Sequence, residues 1–204
     1  GAVYSEDMLK KIAAIMEKKQ KEFGTVMYMV SDEPYRYIAY DNVDVPYITK
    51  ICKNAIVANS FSKSLSLPGE RIGFLIIPSE IEGYQEIYEA ANVINRTLGF
   101  VNAPALIQRG VARCLNAEID VEGYKKNRDA LYAGLIEAGY ECVKPQGAFY
   151  MFVKTPIADD WEFYKKAQKY HLVLGPGVAF GGPGYVRISY CVDYDMIVKA
   201  LPQF

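Results

Sequence analysis

A chain of 204 residues in which 51% are hydrophobic can bury enough apolar surface for one large domain or two modest ones. Its net charge of −1 favours neither a nucleic acid nor a membrane surface as a partner, and no apolar run approaches the roughly 20 residues that span a bilayer. Four widely spaced cysteines and one histidine indicate neither a disulfide framework nor a metal site, and they favour a cytoplasmic location.

The predicted elements alternate between helices and strands from the N-terminus onward, as is typical of α/β proteins. The first is a helix from Glu6 to about Lys19, for which Ser5 is a suitable N-cap. Its apolar residues recur at helical spacing, and they are Met8, Leu9, Ile12, Ile15 and Met16. Three β-prone apolar runs follow and predict strands, at 25–30, near 55–59 and at 73–77.

The second half of the chain predicts more helix than strand. Helices are expected over four ranges, 78–94, 104–115, 121–138 and 159–170. Gly139 is suited to end the third of these as a C-cap. Strands are expected at 147–153 and 186–191. The change from a strand-dense to a helix-linked pattern predicts two domains, residues 1–120 and residues 121–204.

A lysine among four serines follows the predicted strand at 55–59, in the segment Ser60-Phe-Ser-Lys-Ser-Leu-Ser-Leu-Pro-Gly-Glu-Arg71. A strand that ends in small hydroxylated residues brings Lys63 to the edge of the sheet, where open α/β folds bind ligands. Serine hydroxyls can donate to phosphate oxygens, and Arg71 can bind them through two parallel hydrogen bonds. An amine beside a phosphate site suggests a lysine that forms a Schiff base with pyridoxal phosphate (PLP).

A carboxylate and a tyrosine follow the predicted strand at 25–30. Pro34 cannot continue a central strand, so the chain must turn there and leave Asp32 and Tyr35 near the end of that strand. A carboxylate in this place can keep the pyridine nitrogen of PLP protonated, because a nearby negative charge favours the cationic ring. A protonated ring accepts the electrons released when the proton on the substrate's Cα leaves.

A glycine-rich segment at 172–184 leads into the last predicted strand, which carries Arg187. A guanidinium group matches the two oxygens of a carboxylate, which a lysine does not, so Arg187 is a candidate for carboxylate binding. The segment lacks the Gly-x-x-x-x-Gly-Lys-Ser/Thr pattern of a phosphate loop. The alternative interpretation is turn chemistry beside an edge strand, with Arg187 in a surface ion pair.

These three segments together resemble the fold-type I PLP-dependent aminotransferases of class I/II. The lysine motif of that family, Ser-x-Ser-Lys-x-x-(Gly/Ser)-x-x-Gly-x-Arg, is matched by Ser60, Ser62, Lys63, Ser66, Gly69 and Arg71. The Asp-x-Pro-Tyr sequence at 32–35 and a Pro-Gly-x-x-Phe-Gly segment before Arg-Ile-Ser also resemble the family pattern. The resemblance extends over nearly the whole chain.

The resemblance implies an α/β fold, namely the C-terminal part of the PLP-dependent transferase fold. An incomplete, mixed and mostly parallel sheet of the large PLP-binding domain is expected within residues 1–120. A small α+β C-terminal domain is expected within residues 121–204. Residues 1–5 resemble the end of a segment in the first half of family members. The chain is therefore expected to be truncated at its N-terminus and inactive alone.

The resemblance also implies the activity and the site. A full-length parent would be a transaminase of amino acid metabolism that moves an amino group between an amino acid and a 2-keto acid through a Schiff base on Lys63. Lys63 would be the catalytic residue, and Arg187 would bind the substrate carboxylate. The cofactor-binding residues would be Asp32, Tyr35, Ser60, Ser62, Lys63 and Arg71, with Tyr35 bonded to the phenolic oxygen of PLP. The enzyme would be a homodimer.

Three alternatives share the same residues. A PLP-dependent carbon–sulfur lyase would use Lys63, Asp32 and Arg187 and differ in its substrate pocket. An aminotransferase-like domain can also serve as the ligand sensor of a transcription regulator, which would carry a DNA-binding module upstream. An inert α/β fragment is the third alternative.

Overall fold

The computed structural model describes all 204 residues, and the chain divides into two compact units. The N-terminal unit consists of Tyr4–Tyr37 and Asp44–Ile119, and the C-terminal unit consists of Gly1–Val3, Ile38–Val43 and Asp120–Phe204. The longest continuous part of the C-terminal unit begins at Asp120. The two short segments belong to the C-terminal unit because they bond to the backbone at 146–148: Gln146 N–H donates to the Gly1 carbonyl at 2.7 Å, and Ala148 N–H to the Ile38 carbonyl at 2.9 Å.

The N-terminal unit contains a three-stranded sheet and four helices. In chain order they are α1 (Glu6–Phe23), β1 (Met29–Asp32), β2 (Ala55–Ser60), α2 (Phe61–Ser64), β3 (Gly73–Ile76), α3 (Tyr84–Thr97) and α4 (Ala105–Cys114). The strand order is β1-β2-β3, with β1 parallel and β3 antiparallel to β2. The predicted cap is confirmed, since the Ser5 hydroxyl accepts the Met8 N–H at 3.3 Å. No helix anywhere in the chain is both long and apolar enough to cross a membrane.

The core of the N-terminal unit forms where α1 meets β2. Ala13 on α1 is buried with Ala55 and Val57 of β2, and Leu9 and Met16 pack against this cluster. The predicted apolar face of α1 was therefore partly wrong, because Met8 and Ile15 are exposed. Small Ala13 takes the central position, since it lets the helix approach the strand closely.

Two elements of this unit begin later than the sequence predicts. The strand expected at 25–30 begins at Met29, because the Met27 N–H donates to the Gln20 side chain at 2.7 Å instead of to a neighbouring strand. The helix expected from residue 78 begins at Tyr84, after Gly83 adopts a left-handed φ of 68°. A side-chain acceptor and a left-handed glycine each interrupt a pattern that apolar periodicity alone would continue.

The C-terminal unit contains an antiparallel sheet and three helices. In chain order they are α5 (Val121–Glu137), β4 (Tyr150–Lys154), α6 (Asp160–Gln168), β5 (Gly175–Pro176), β6 (Tyr185–Ser189) and α7 (Tyr194–Ala200). The strand order is β4-β6-β5, so β6 is central. Gly139 follows the end of α5 with φ of 87°, as predicted. The core comes from alternate positions of β4 and β6 and from the inner faces of α5 and α7, and includes Leu131, Leu135, Met151, Val153, Val186, Ile188 and Ile197.

The strand expected at 147–153 begins only at Tyr150, because Ala148 has a left-handed φ of 58°. The hydroxyls of Tyr40 and Tyr190 both donate to the Ala148 carbonyl. Both rings are buried, and burial raises the pKa of Tyr40 to about 12. Two buried hydroxyls on one carbonyl hold this strained residue in place.

Arg128 is a fully buried arginine whose donors are taken up within the C-terminal unit. Its guanidinium binds both oxygens of Asp41, at 2.8 and 3.2 Å, and donates to the Pro145 carbonyl at 3.0 Å. Its Nε donates to Asp129 at 2.9 Å. The pair with Asp41 attaches the 38–43 segment to α5, and it is a charge-assisted, bidentate contact.

This pair predicts a loss of stability in acid. The hydrogen bonds from Arg128 lower the pKa of Asp41, so unfolding raises that pKa and the unfolded chain binds the proton more readily. The stabilising contribution is present above the unfolded pKa and is lost as the pH falls through the folded pKa. We expect the urea midpoint, followed by the fluorescence of Trp161 in α6, to fall from pH 6 to pH 3, and we expect Asp41→Asn to make this fall smaller.

Asp195→Asn is the matched control, because Asp195 is exposed in the same unit and forms no ion pair. The side chain of Asp41 is 49% exposed, so solvent screening keeps the effect modest. An equal pH dependence in Asp41→Asn and in the control would contradict the prediction.

Candidate active site

The candidate site in the N-terminal unit lies where two parallel strands end. Asp32 is the last residue of β1 and pairs with Ala58, and Ser60 is the last residue of β2. The single-turn helix α2 follows β2 at once and carries Ser62 and Lys63. Because the carboxyl ends of parallel strands meet at one edge of a sheet, the predicted polar residues share this edge.

Tyr35 and Lys63 lie close together beside this edge. The Lys63 Nζ is 5.6 Å from the centre of the Tyr35 ring, and both residues are half-buried. The chain turns at Pro34, as predicted, after the Glu33 N–H has donated to the Ala58 carbonyl at 2.8 Å. That last bond extends the pairing of the two strands by one residue, so the turn starts from a fixed position.

An ion pair that was not predicted from the sequence holds this turn. Glu33 accepts the Ser31 hydroxyl at 2.9 Å and pairs with Arg36 at 3.0 Å. The Arg36 side chain is only 8% exposed and also donates to the Pro46 carbonyl at 3.1 Å. The signal in the sequence was the spacing of opposite charges three residues apart, next to the Asp-x-Pro-Tyr sequence.

Arg71 is the last residue of the lysine motif and carries a charge with no anionic partner. It has a left-handed φ of 51°, it is exposed, and its only side-chain hydrogen bond is to the Pro68 carbonyl at 2.7 Å. The return strand begins at Gly73, where a Cβ would lie 2.6 Å from the Asn59 carbonyl oxygen. Gly73 therefore allows β3 to pair closely with the end of β2.

The residues at this edge fit the chemistry of PLP. The carboxylate of Asp32 and the hydroxyls of Ser60 and Ser62 have no hydrogen-bond partner within the chain. A carboxylate suits a protonated ring nitrogen, whereas hydroxyls and an unpaired guanidinium suit a phosphate. Lys63 is half-buried beside this edge, and an amine is the group that forms a Schiff base with an aldehyde.

Arg187 lies in the C-terminal unit, on the central strand β6. It is half-buried and pairs with Phe152 of β4 and Gly175 of β5. Its guanidinium carbon is 3.7 Å from the centre of the Phe180 ring and 4.4 Å from that of Tyr150. The side chain forms no ion pair and donates no hydrogen bond within the chain. The alternative of a surface ion pair is therefore wrong.

The seven predicted site residues thus divide between the two units. Asp32, Tyr35 and the lysine-motif residues Ser60, Ser62, Lys63 and Arg71 are all in the N-terminal unit, and Arg187 is in the C-terminal unit. No role was predicted for the two rings beside Arg187, Phe180 and Tyr150. One of these rings, Phe180, is the phenylalanine of the Pro-Gly-x-x-Phe-Gly segment, so the sequence contained a signal for it.

Comparison with known proteins gives consistent matches over the whole chain. A family model described as "Aminotransferase class I and II" matches residues 1–203. Among curated proteins, a probable N-acetyl-LL-diaminopimelate aminotransferase of Bacillus subtilis is 32% identical over 98% of this chain, and a probable aspartate aminotransferase of Methanocaldococcus jannaschii is 33% identical over the same share.

Solved structures match as well. An amino transferase from Eubacterium rectale superposes with a TM-score of 0.95 at 48% identity over 99% of this chain. The aspartate aminotransferase of Thermotoga maritima superposes with a TM-score of 0.84 at 26% identity over the full chain. The chain spans 50% and 53% of the two curated relatives, and 51% and 52% of the two solved chains, so it corresponds to about half of each.

Proposed function

Because the chain belongs to the aminotransferase class I and II family, we propose that it forms part of a PLP-dependent enzyme that moves an amino group between an amino acid and a 2-keto acid. Members of this family are PLP-dependent. The observation that carries the proposal is the arrangement at the carboxyl edge of β1 and β2, where Lys63 directly follows one strand and Asp32 ends the other.

Six residues of the N-terminal unit are proposed to hold the cofactor. Asp32 bonds to the ring nitrogen and keeps it protonated, since its carboxylate is not engaged by any cation of the chain. Tyr35 bonds to the phenolic oxygen. The hydroxyls of Ser60 and Ser62 and the guanidinium of Arg71 bind the phosphate. The N-terminal unit then corresponds to part of the large PLP-binding domain, and the C-terminal unit to the small domain.

Lys63 has two proposed tasks. Its amine holds the cofactor covalently at rest, and afterwards its Nζ takes the proton from the substrate's Cα and returns a proton during the second half of the reaction. PLP, when bound, supplies an electron sink for the bond that breaks at Cα. Arg187 binds the α-carboxylate of the substrate through its fork of N–H groups.

The full-length enzyme is proposed to act as a homodimer, since aminotransferases are typically dimers. Its proposed location is the cytoplasm. The 204-residue chain by itself is proposed to be inactive. The relatives it matches are about twice as long, and the chain contains part of their sequence only.

Reductive labelling tests the cofactor site directly. The full-length enzyme is incubated with PLP, reduced with borohydride, digested with trypsin and mapped by mass spectrometry. We expect a phosphopyridoxyl mass on Lys63 and on no other lysine, because only this amine lies beside the proposed phosphate and ring-binding residues. Label scattered over exposed lysines, or absent from Lys63, would contradict the proposal.

The reaction type is tested in the same preparation. An aminotransferase needs a 2-keto acid acceptor for each turnover, whereas a carbon–sulfur lyase releases a thiol without one. We expect sustained turnover of the amino donor only when a 2-keto acid is added. Turnover without an acceptor would favour the carbon–sulfur lyase. Labelling without any turnover would favour the ligand-sensing domain.

A further inference from the structure

Two aromatic rings hold the guanidinium of Arg187. Phe180 and Tyr150 lie with their ring centres 3.7 and 4.4 Å from its guanidinium carbon. Tyr150 lies on β4 diagonally from Arg187, and Phe180 lies in the loop between β5 and β6. An aromatic ring attracts the flat face of a guanidinium group. This contact leaves the N–H groups at the edge of the guanidinium available for hydrogen bonds.

Arg128, in the same unit, differs from Arg187 in that its N–H groups are bonded within the chain. Its guanidinium also lies over a ring, 4.5 Å from the centre of Tyr40, but its N–H groups are bonded to Asp41, Asp129 and the Pro145 carbonyl. Arg128 is thereby a structural residue with its donors satisfied. Arg187 is oriented by rings alone, so that its donors stay available for a ligand carboxylate.

The glycine-rich loop keeps Phe180 in this position. A Cβ at Gly175 would lie 3.1 Å from the Phe180 ring, and a Cβ at Gly177 would lie 2.1 Å from the Gly182 carbonyl oxygen. Gly177 is therefore required for the close approach of the loop to itself, and a side chain at Gly175 would press on the Phe180 ring. The Phe152 ring meets Phe180 edge to face, with centres 6.2 Å apart.

A buried carboxylate anchors the same loop. Asp160, at the start of α6, is 6% exposed and accepts the Val178 N–H at 2.7 Å. This bond fixes the backbone two residues before Phe180. The ring is 43% exposed, so its position depends on the loop and on its neighbours more than on a surrounding core.

We propose that Phe180 and Tyr150 are positioning residues that hold the Arg187 guanidinium in the orientation in which it binds the substrate carboxylate. This inference rests on the proposed function, because it needs Arg187 to bind that carboxylate. The rings act through Arg187. They restrict the motion of a long side chain before the substrate arrives, which lowers the entropy that binding would otherwise cost.

The test compares Phe180→Leu with Phe180→Tyr in the full-length enzyme. Leucine keeps apolar volume and removes the π face, whereas tyrosine keeps the ring. We expect Phe180→Leu to raise the KM for the amino acid about tenfold with kcat changed less than threefold, and Phe180→Tyr to stay within twofold of the parent. Tyr150→Leu and Tyr150→Phe form a second, independent pair with the same expectation.

A substrate analogue that lacks the α-carboxylate charge distinguishes the positioning role of the rings from the proposed role of Arg187. The ratio of kcat/KM for the amino acid to that for its α-carboxamide measures recognition of the carboxylate. We expect this ratio to be large in the parent and to fall about tenfold in both leucine variants.

A large parental ratio that both leucine variants retain would overturn the positioning role and leave the function of Arg187 intact. A ratio near one in the parent enzyme would overturn both the positioning role of the rings and the proposed role of Arg187. A fall in Phe180→Tyr or Tyr150→Phe as large as in the leucine variants would also overturn the positioning role, since those changes keep the ring.

Discussion

Lys63→Arg is expected to reduce kcat/KM of the full-length enzyme by about 10⁴-fold, an effect as large as general acid–base catalysis provides. A guanidinium neither bonds covalently to the cofactor's aldehyde nor gives up a proton at neutral pH. The change therefore removes both proposed tasks of the amine. Single-turnover mixing of enzyme and amino acid, followed by cofactor absorbance, measures the loss.

Lys18→Arg is the matched control for this experiment. Lys18 is exposed on α1 and belongs to none of the predicted site segments, so its change is expected to leave kcat/KM within twofold of the parent. Borohydride labelling of Lys63→Arg should leave no phosphopyridoxyl peptide from this region. Activity of Lys63→Arg within tenfold of the parent would remove the residue from its proposed role.

Arg187→Lys is expected to lower kcat/KM for the amino acid about 100-fold, mostly through a higher KM. Removing one partner of a hydrogen-bonded charge pair costs about 2–5 kcal/mol, and a lysine replaces only part of the fork. The shorter ammonium also lacks the flat surface that Phe180 and Tyr150 contact. Steady-state kinetics over a range of amino acid concentrations, with KM and kcat separated, measures the effect.

Arg113→Lys provides the control for the second substitution, because Arg113 is exposed on α4 and forms no ion pair. It is expected to leave KM unchanged. The borohydride label on Lys63 should be retained in Arg187→Lys, since the cofactor residues belong to the N-terminal unit. A KM for Arg187→Lys within threefold of the parent would show that the carboxylate binds elsewhere.

Local signals in the sequence identified the fold class and most of the elements correctly. The α/β fold of the PLP-dependent transferases is confirmed by the structural neighbours. Ser5 and Gly139 act at the ends of their helices as predicted, because capping depends on residues within one turn. The site residues themselves were identified from motif spacing, and their roles stay predictions.

Element boundaries were less accurate, since they depend on contacts outside the local segment. The first strand begins at Met29 because Gln20 takes the backbone donor of Met27, and β4 begins at Tyr150 because Ala148 is held in a left-handed conformation by two distant tyrosine hydroxyls. Apolar periodicity carries no information about either partner.

Residue type and spacing were enough to predict the site residues: an amine among hydroxyls after one strand, a carboxylate at the end of another and an arginine in the last strand. Those features are local, so residue type and spacing suffice to find them. Three features came from the folded structure alone: the 38–43 segment joins the C-terminal unit through Arg128, Glu33 and Arg36 hold the turn after Asp32, and two rings lie against Arg187. These contacts depend on how strands pair and loops close, and side chains far apart in the chain meet only after folding.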